Sequence, residues 1–298
     1  SASNNTGLGD SVFAALTSAT LNTAVGRRAL TLTTSGGSNT AIGADAMFTN
    51  TTGANNVAIG LDSLFANTTA DNNTAVGKSA LAANTTGTRN TAVGAFSLDT
   101  TTTGVDNTSI GYAAMDGNTT GDNNVAVGKS ALTANTTADN NTAVGFSALT
   151  ANTTGAANTA VGTDSLKDNT TGTNNVAMGE NALANNTTAD QSTALGQNAL
   201  LTNTTGASNV AVGHDSLRLN TTASNNTAVG VDALRSNTTG TYNVALGGGA
   251  AQSNTTANNN SAFGFYALKV NTTGAGNTAI GSDALQKNTT ASNNTAVG

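Results

Sequence analysis

The sequence contains no cysteine, no proline and no tryptophan, and it has a single histidine, His214, among 298 residues. Without cysteine there is no disulfide framework, no thiol nucleophile and no cysteine-ligated metal. A lone histidine also excludes a metal site built on a histidine pair and argues against histidine-based catalysis. We therefore expect no enzyme activity, no bound metal and no cofactor.

Charge is equally scarce. Only 9% of the residues are charged, and ten basic residues against sixteen acidic ones give a net charge of −6. This balance provides no basic surface for nucleic acid. No apolar run is long enough to span a membrane as a helix, so we expect no membrane insertion. The chain begins at Ser1 without a signal-like segment, and we interpret it as a piece of a longer protein.

Large apolar residues are too few for an ordinary globular core. Leu, Ile, Val and Phe together number 51, about 17% of the chain. A fraction under roughly 20% is typical of disordered chains. Disordered chains, however, usually combine low hydrophobicity with high net charge, and this chain has little charge. A repeat protein is the class that satisfies both observations.

A glycine recurs every 17 residues from Gly9 to Gly298, without insertion or deletion. We number coil positions 1 to 17 from this glycine, so that Gly77–Val93 is one unit. Strict periodicity marks an array of stacked units, and Asn, Thr and Gly are poor helix formers. Seventeen residues suit one coil of a solenoid. The predicted fold is therefore all-β, a parallel β-solenoid, forming one continuous array of about seventeen coils over residues 1–298.

Several coil positions are nearly constant in residue type. Only glycine occupies position 1, which predicts a positive φ or a close backbone approach. Asparagine fills position 14 in 17 of 18 coils and position 8 in 14 of 17, and stacked amides can hydrogen-bond along a ladder at the ~4.8 Å strand spacing. The predicted turn glycines include Gly26, Gly43, Gly60, Gly77, Gly94, Gly128, Gly145 and Gly162. The predicted ladder asparagines include Asn73, Asn90, Asn124 and Asn141 at position 14, and Asn84, Asn118, Asn135 and Asn152 at position 8.

The charged residues define the outside of the coil. All 26 of them fall at positions 2, 3, 6, 7, 12 and 13, which we assign to solvent-facing corners. Positions 15 to 17 form the predicted strand, in which side chains alternate between faces. Position 17 is always apolar, so we expect positions 15 and 17 to face inward with position 5. The predicted core includes Val76, Leu81, Val93, Leu98, Val127, Leu132, Val144 and Leu149.

Position 16 is alanine in 16 of 18 coils, and the assignment above places it on the outward strand face. A repeated small residue there permits the close approach of another surface, most simply a second copy of the chain. The alternative is that alanine only keeps a solvated strand flat. The predicted chain–chain contact residues are Ala75, Ala92, Ala126, Ala143 and Ala160.

Two short segments carry a family resemblance. Asn22–Gly26 reads Asn-Thr-Ala-Val-Gly, and Asn56–Gly60 reads Asn-Val-Ala-Ile-Gly. They resemble the head repeats of trimeric autotransporter adhesins (YadA-like). The longer pattern Gly-x-x-Ala-Leu-x-x-Asn-Thr-Thr-Gly-x-x-Asn-Thr-Ala-Val resembles repeats of bacterial and phage tail-fibre-like proteins. The resemblance implies a homotrimer of left-handed parallel β-rolls in an extracellular surface appendage or a virion tail fibre.

Other patterns carry candidate chemistry, each with a structural alternative that we prefer. Asn-Thr-Thr at position 8 matches the N-glycosylation acceptor, but ladder and turn roles explain it. Acidic residues one coil apart could hold Ca²⁺, although solvated corners explain them too. These pairs are Asp45 with Asp62 and Asp215 with Asp232.

Aromatic residues and threonines raise the question of surface binding. Aromatic side chains at the corners could stack on sugars, but they are spread over many coils. These residues are Phe96, Tyr112, Phe146, Phe265 and Tyr266. Regular threonine rows also resemble those of ice-binding solenoids, but the most regular row, at position 15, is expected to face inward.

We expect an extracellular structural fibre segment that projects or forms a surface appendage. Its partner is expected to be the chain itself, as a homo-oligomer or an end-to-end filament. The alternative is an adhesin that recognises a glycan, a host surface or ice along its repeated face. The corner residues look largely interchangeable, which favours the structural role.

Overall fold

The computed structural model describes residues 2–298. Within this range the chain forms short β-strands and turns, and none of these residues is helical. The chain divides into two units, the first ending at Ser147 and the second covering Ala148–Gly298. Each unit is a parallel β-solenoid of 17-residue coils, which confirms the predicted fold class.

The described residues of each unit form nine three-residue strands. In the first unit they are β1 (Thr6–Leu8), β2 (Thr23–Val25), β3 (Thr40–Ile42), β4 (Val57–Ile59), β5 (Thr74–Val76), β6 (Thr91–Val93), β7 (Thr108–Ile110), β8 (Val125–Val127) and β9 (Thr142–Val144). In the second they are β10 (Thr159–Val161), β11 (Val176–Met178), β12 (Thr193–Leu195), β13 (Val210–Val212), β14 (Thr227–Val229), β15 (Val244–Leu246), β16 (Ser261–Phe263), β17 (Thr278–Ile280) and β18 (Thr295–Val297).

Neighbouring coils within a unit are in register, because each residue pairs with the residue 17 places further along. In β5 and β6, for example, Ala75 pairs with Ala92. The turns are bound to adjacent coils in the same way. The Leu81 N–H donates to the Ser97 carbonyl at 3.0 Å, and the Gly77 N–H donates backward to the Ile59 carbonyl at 2.8 Å. Backbone polar groups are thus satisfied by neighbouring coils rather than by long strands.

The strand faces are the reverse of our prediction. All five predicted contact residues, Ala75, Ala92, Ala126, Ala143 and Ala160, are fully buried. The predicted core valines Val76, Val93, Val127 and Val144 lie on the outer face and are only partly covered. We predicted that the larger residue at position 17, rather than the alanine at position 16, faces the interior. The interior of the coil is too narrow for the larger side chain.

The reason for the narrow interior is visible where both facing residues are serine. Ser97 at position 4 and Ser109 at position 16 lie across the same coil, with their hydroxyl oxygens 2.7 Å apart. Positions 4 and 16 therefore face each other almost in contact. Only small side chains fit between them, so the valine row must point outward.

Position 5 supplies the large core residue, as expected for Leu81, Leu98, Leu132 and Leu149, which are all fully buried. These leucines lie in the left-handed region, with Leu81 at a φ of 53°. That conformation costs a non-glycine residue about 1–2 kcal/mol. Burying a leucine side chain contributes about 1.5–3 kcal/mol, which offsets the cost in each coil.

Both asparagine rows form buried ladders. At position 14 the Asn90 backbone N–H donates to Asn73 Oδ1 at 2.9 Å, and the Asn90 side chain donates to the Gly104 carbonyl at 2.7 Å. At position 8 the Asn84 amide donates to Asn67 Oδ1 at 3.1 Å. The eight predicted ladder asparagines are all fully buried, so the amides satisfy turn carbonyls that water cannot reach.

The position-8 ladder is interrupted at Thr101. Asn84 Oδ1 is buried and accepts no hydrogen bond from the described part of the chain, because the next coil carries Thr101, whose hydroxyl donates to the Asn118 carbonyl instead. Thr101→Asn places an amide donor beside that oxygen, as Asn84 already does for Asn67.

We expect Thr101→Asn to raise the free energy of unfolding by about 1–2 kcal/mol, because it satisfies a buried acceptor. Chemical denaturation would measure the change. Thr103→Asn at exposed position 10 is the control and should stay within about 0.5 kcal/mol of the unmodified chain. Equal effects of the two substitutions would contradict the ladder interpretation.

The position-1 glycines combine positive φ with close packing. From Gly9 to Gly281 their φ values lie between 121° and 143°, a range that L side chains rarely adopt. A Cβ on Gly128 would also lie 2.4 Å from the Gly145 carbonyl oxygen.

Candidate functional surface

The outward strand face, formed by positions 15 and 17, is the most regular apolar surface of each unit. It carries Thr, Val or Ser at position 15, an aliphatic residue, Met or Phe at position 17, and no charge. Many of the larger position-17 side chains remain 37% to 45% exposed: Ile42, Ile59, Ile110, Met178, Leu246, Phe263 and Ile280. Nine strands at the usual spacing make a strip of roughly 40 Å by 10 Å, about the size of the largest apolar patch on a typical monomer.

The corner acids Asp45 and Asp215 are paired with arginines. Arg28 binds Asp45 through two hydrogen bonds of 2.6 Å and 2.9 Å. This guanidinium lowers the pKa of the Asp45 carboxyl. Asp215 lies near Arg218 and Arg235, at 3.3 Å and 3.7 Å.

These arginines place positive charge beside Asp45 and Asp215, two of the acidic residues that could have held Ca²⁺. Asp45 and Asp215 are only 5% and 6% exposed, because the arginine side chains cover them. Among the described residues, no cluster of three or more His, Asp or Glu side chains is arranged to hold a metal ion.

Asp99 and Asp116 lie at position 6 of successive coils, and no cation among the described residues pairs with either of them. Burial raises the pKa of the Asp99 carboxyl, and the charge of Asp116 raises it further. Burial also raises the pKa of Asp116. A carboxyl whose pKa is higher in the folded state binds protons more tightly there, so these two acids favour the fold as the pH falls.

We expect Asp99→Asn to raise the melting temperature at pH 7 and to change it little at pH 3. At pH 7 the substitution removes a partly desolvated charge and its repulsion from Asp116, whereas at pH 3 the Asp99 carboxyl is mostly protonated in both the folded and the unfolded state. Thermal melts of the parent and the variant between pH 3 and pH 7 would measure this difference in melting temperature. The exposed Asp168→Asn should give no comparable difference between the two pH values, and a uniform shift in both variants would contradict the assignment.

The corner aromatic residues occur as separate pairs. Phe96 and Tyr112 meet edge to face at 6.0 Å between ring centroids, and Phe265 and Tyr266 lie 3.8 Å apart. Phe146 is instead about half exposed, with the Lys129 ammonium 5.8 Å from its ring centroid. The five predicted aromatics therefore do not converge on one site.

Sequence reasoning missed a stack at position 6. Phe48 and Phe65 lie face to face at 5.4 Å with an interplanar angle of 10°, and the Arg28 guanidinium lies 5.0 Å from the Phe48 centroid. Beside Phe65 is an open groove of about 330 Å³, lined by Asp62, Phe65, Ser79 and Ala82. The available signal was an aspartate at position 3 followed by a phenylalanine at position 6 in two successive coils.

The asparagines of the Asn-Thr-Thr segments are inaccessible in the folded chain. Asn50, Asn67 and Asn84 are fully buried, and the Asn67 side-chain amide donates a hydrogen bond to Asn50 Oδ1 at 2.8 Å. Transfer of a glycan to that nitrogen requires an exposed acceptor, so the folded solenoid does not present one.

The adjacent threonines divide into two rows. At position 9 the Thr85 hydroxyl donates to the Thr102 carbonyl of the next coil at 3.0 Å, which makes it structural. At position 10 a threonine or serine occurs in all seventeen coils, and residues such as Thr86, Thr103 and Thr120 are exposed. This outer row of hydroxyls is the second regular surface of each unit.

A scan against protein-family models and a search of curated proteins give no match to this chain. None of the described residues belongs to a helix that could cross a bilayer.

Proposed function

We propose that this chain is a structural segment of an extracellular fibre, the shaft or head of an adhesin or a tail-fibre-like protein. The observation that carries the proposal is the interchangeability of its coils. Every coil begins with the same glycine, and most coils repeat the buried leucine and the two asparagines, while the charged corners vary from coil to coil. A scaffold of repeated coils suits a spacer that holds a tip or an anchor at a distance.

The partner in this proposal is the chain itself. The uncharged strip at positions 15 and 17 keeps the same classes of residue in register from coil to coil, so a second copy can match its spacing. A self-complementary surface of this kind favours a symmetric homo-oligomer. The resemblance to adhesin heads favours three chains with left-handed coils, and end-to-end assembly would extend the fibre.

We expect the double substitution Val127→Lys and Val144→Lys to dissociate the oligomer, because it introduces charge into the apolar contact. Mass measurement in solution would follow the loss of the assembled species. The matched control is Ala134→Lys with Ala151→Lys at position 7, where charges already occur in other coils. A stable, folded monomer of the unmodified chain at micromolar concentration would overturn self-association.

Projection images of purified particles test the arrangement directly. Threefold symmetry in end views would support the trimeric fibre, whereas isolated single solenoids would contradict it. The images also report particle width, which separates one chain from a bundle.

The second candidate is an adhesin that binds along its repeated face, favoured by the exposed hydroxyl row at position 10. Here the ligand would be a glycan, a host surface or ice. Retention of the labelled protein on glycan arrays, host cells or ice can be compared with a variant carrying Thr86→Glu, Thr103→Glu and Thr120→Glu. Retention that disappears in the variant would favour this function over the spacer.

A further inference from the structure

We propose that the groove formed by Asp62, Phe65, Ser79 and Ala82 binds a guanidinium group, supplied by an arginine side chain of a partner protein. This site lies at a corner of the first unit, away from the apolar strip, and the inference does not depend on the proposed fibre function.

The groove occupies the place where the aromatic stack stops. The Arg28 guanidinium, the Phe48 ring and the Phe65 ring follow one another along the unit. The next coil has Ala82 at position 6, and Ala82 and Ser79 line the groove together with Phe65. One face of Phe65 is therefore covered by Phe48, whereas the other borders an opening one coil deep.

The same unit shows which group this arrangement binds. In the preceding coil, Asp45 at position 3 and Phe48 at position 6 hold the Arg28 guanidinium. The carboxylate accepts two hydrogen bonds from it, and the guanidinium carbon lies 5.0 Å from the ring centroid. Asp62 and Phe65 repeat this carboxylate and ring at the same two positions one coil later. The groove borders the face of Phe65 toward the following coil, whereas Arg28 lies on the opposite face of Phe48, toward the preceding coil.

Among the described residues, the second carboxylate and ring are not paired with a cation, and the charge of Asp62 acts only as a minor contribution that raises the pKa of Arg28. The Asp62 side chain makes no hydrogen bond or ion pair within the described residues. The nearest lysine in sequence on the following coil, Lys78, places its ammonium over Phe96 at 5.2 Å. A carboxylate beside a free aromatic face attracts a cation by both charge and quadrupole.

A guanidinium fits these features better than an ammonium. Its planar group can lie against Phe65 while its N–H groups donate to Asp62, and Ser79 offers a further oxygen acceptor. The net charge of −6 also favours the approach of a cationic segment.

The test uses the full chain with para-fluorophenylalanine at position 65 only, observed by fluorine NMR. Acetyl-arginine amide is the probe, and neutral acetyl-citrulline amide is its matched control. We expect a saturable shift of the fluorine signal with the arginine probe and none with the citrulline probe. The dissociation constant is expected on the order of 1–10 mM, because single exposed cation–π and ion-pair contacts are weak.

Two variants and a second label locate the binding. Asp62→Asn should weaken binding at least about fivefold, and Ala82→Phe should abolish it by continuing the stack into the groove. Both variants should keep the melting temperature of the parent. Ala82→Phe continues a stack that Phe48 and Phe65 already form, and Asp62→Asn removes no hydrogen bond or ion pair of the described residues. The same label at Phe146, where the neighbouring position-3 residue is Ser147, should not respond.

Equal shifts with the citrulline probe would overturn the proposal, as would unchanged binding in either variant or an equal response at Phe146. A response to methyl glucoside in place of the arginine probe would also overturn it and would identify the groove as a saccharide site.

Discussion

Ala126→Lys is expected to lower the free energy of unfolding by about 4 kcal/mol or more, while Val127→Lys leaves the chain folded. Ala126 is fully buried, and the position opposite it in the coil leaves room only for a small side chain. The substitution would force both bulk and an unpaired charge into this interior. Val127, the next residue along the same strand, points to the outer face.

Far-UV circular dichroism and thermal melting would separate the two variants. Ala126→Lys should lose cooperative unfolding or melt far below the parent, whereas Val127→Lys should keep the β spectrum even if it disrupts the proposed self-association. Substitutions with the opposite ranking would mean that valine, not alanine, lines the interior.

The reversed strand faces show which part of the fold the sequence could predict. The 17-residue period, the glycine turns and the corner charges were sufficient for the all-β solenoid, because each follows from residue type at a fixed position. Alternation shows only that Ala126 and Val127 face opposite ways. Which of them points inward depends on the width of the coil, as the contact between Ser97 and Ser109 makes clear.

A signal for the coil width was nevertheless present. Position 4 is alanine or serine in nearly every coil, just as position 16 is nearly always alanine. Two rows of small residues in one coil are explained if they face each other across a narrow interior. The apolar character of position 17 favoured placing it in the core. The small side-chain volume at position 16 would have favoured that position instead, because only small side chains fit a narrow interior.

The groove beside Phe65 could be anticipated only in part. The repeated aspartate and phenylalanine at positions 3 and 6 are visible in the sequence, and so is the change to Ala82. The face-to-face geometry of Phe48 and Phe65 is not visible in the sequence, because aromatic rings of neighbouring coils can also meet edge to face, as Phe96 and Tyr112 do.

The position-1 glycines allow the effect of the positive φ to be separated from the effect of crowding around an added Cβ. Gly128 has a φ of 136°, and Gly121 at position 11 has no positive φ. An added Cβ would be crowded at both, since it would lie 2.4 Å from the carbonyl oxygen of Gly145 in the first case and of Ala138 in the second. Position 11 nevertheless carries alanine in other coils, for example at Ala70.

We therefore expect Gly128→Ala to lower the free energy of unfolding by about 3 kcal/mol or more, and Gly121→Ala to lower it by less than about 1 kcal/mol. Alanine at position 128 must either adopt a strained φ or break the turn, whereas at position 121 a small shift of the neighbouring coil accommodates it, as in the natural alanine coils. Denaturant unfolding of both variants would measure the difference. Equal losses would mean that close packing alone, and not the left-handed backbone, keeps position 1 glycine in every coil.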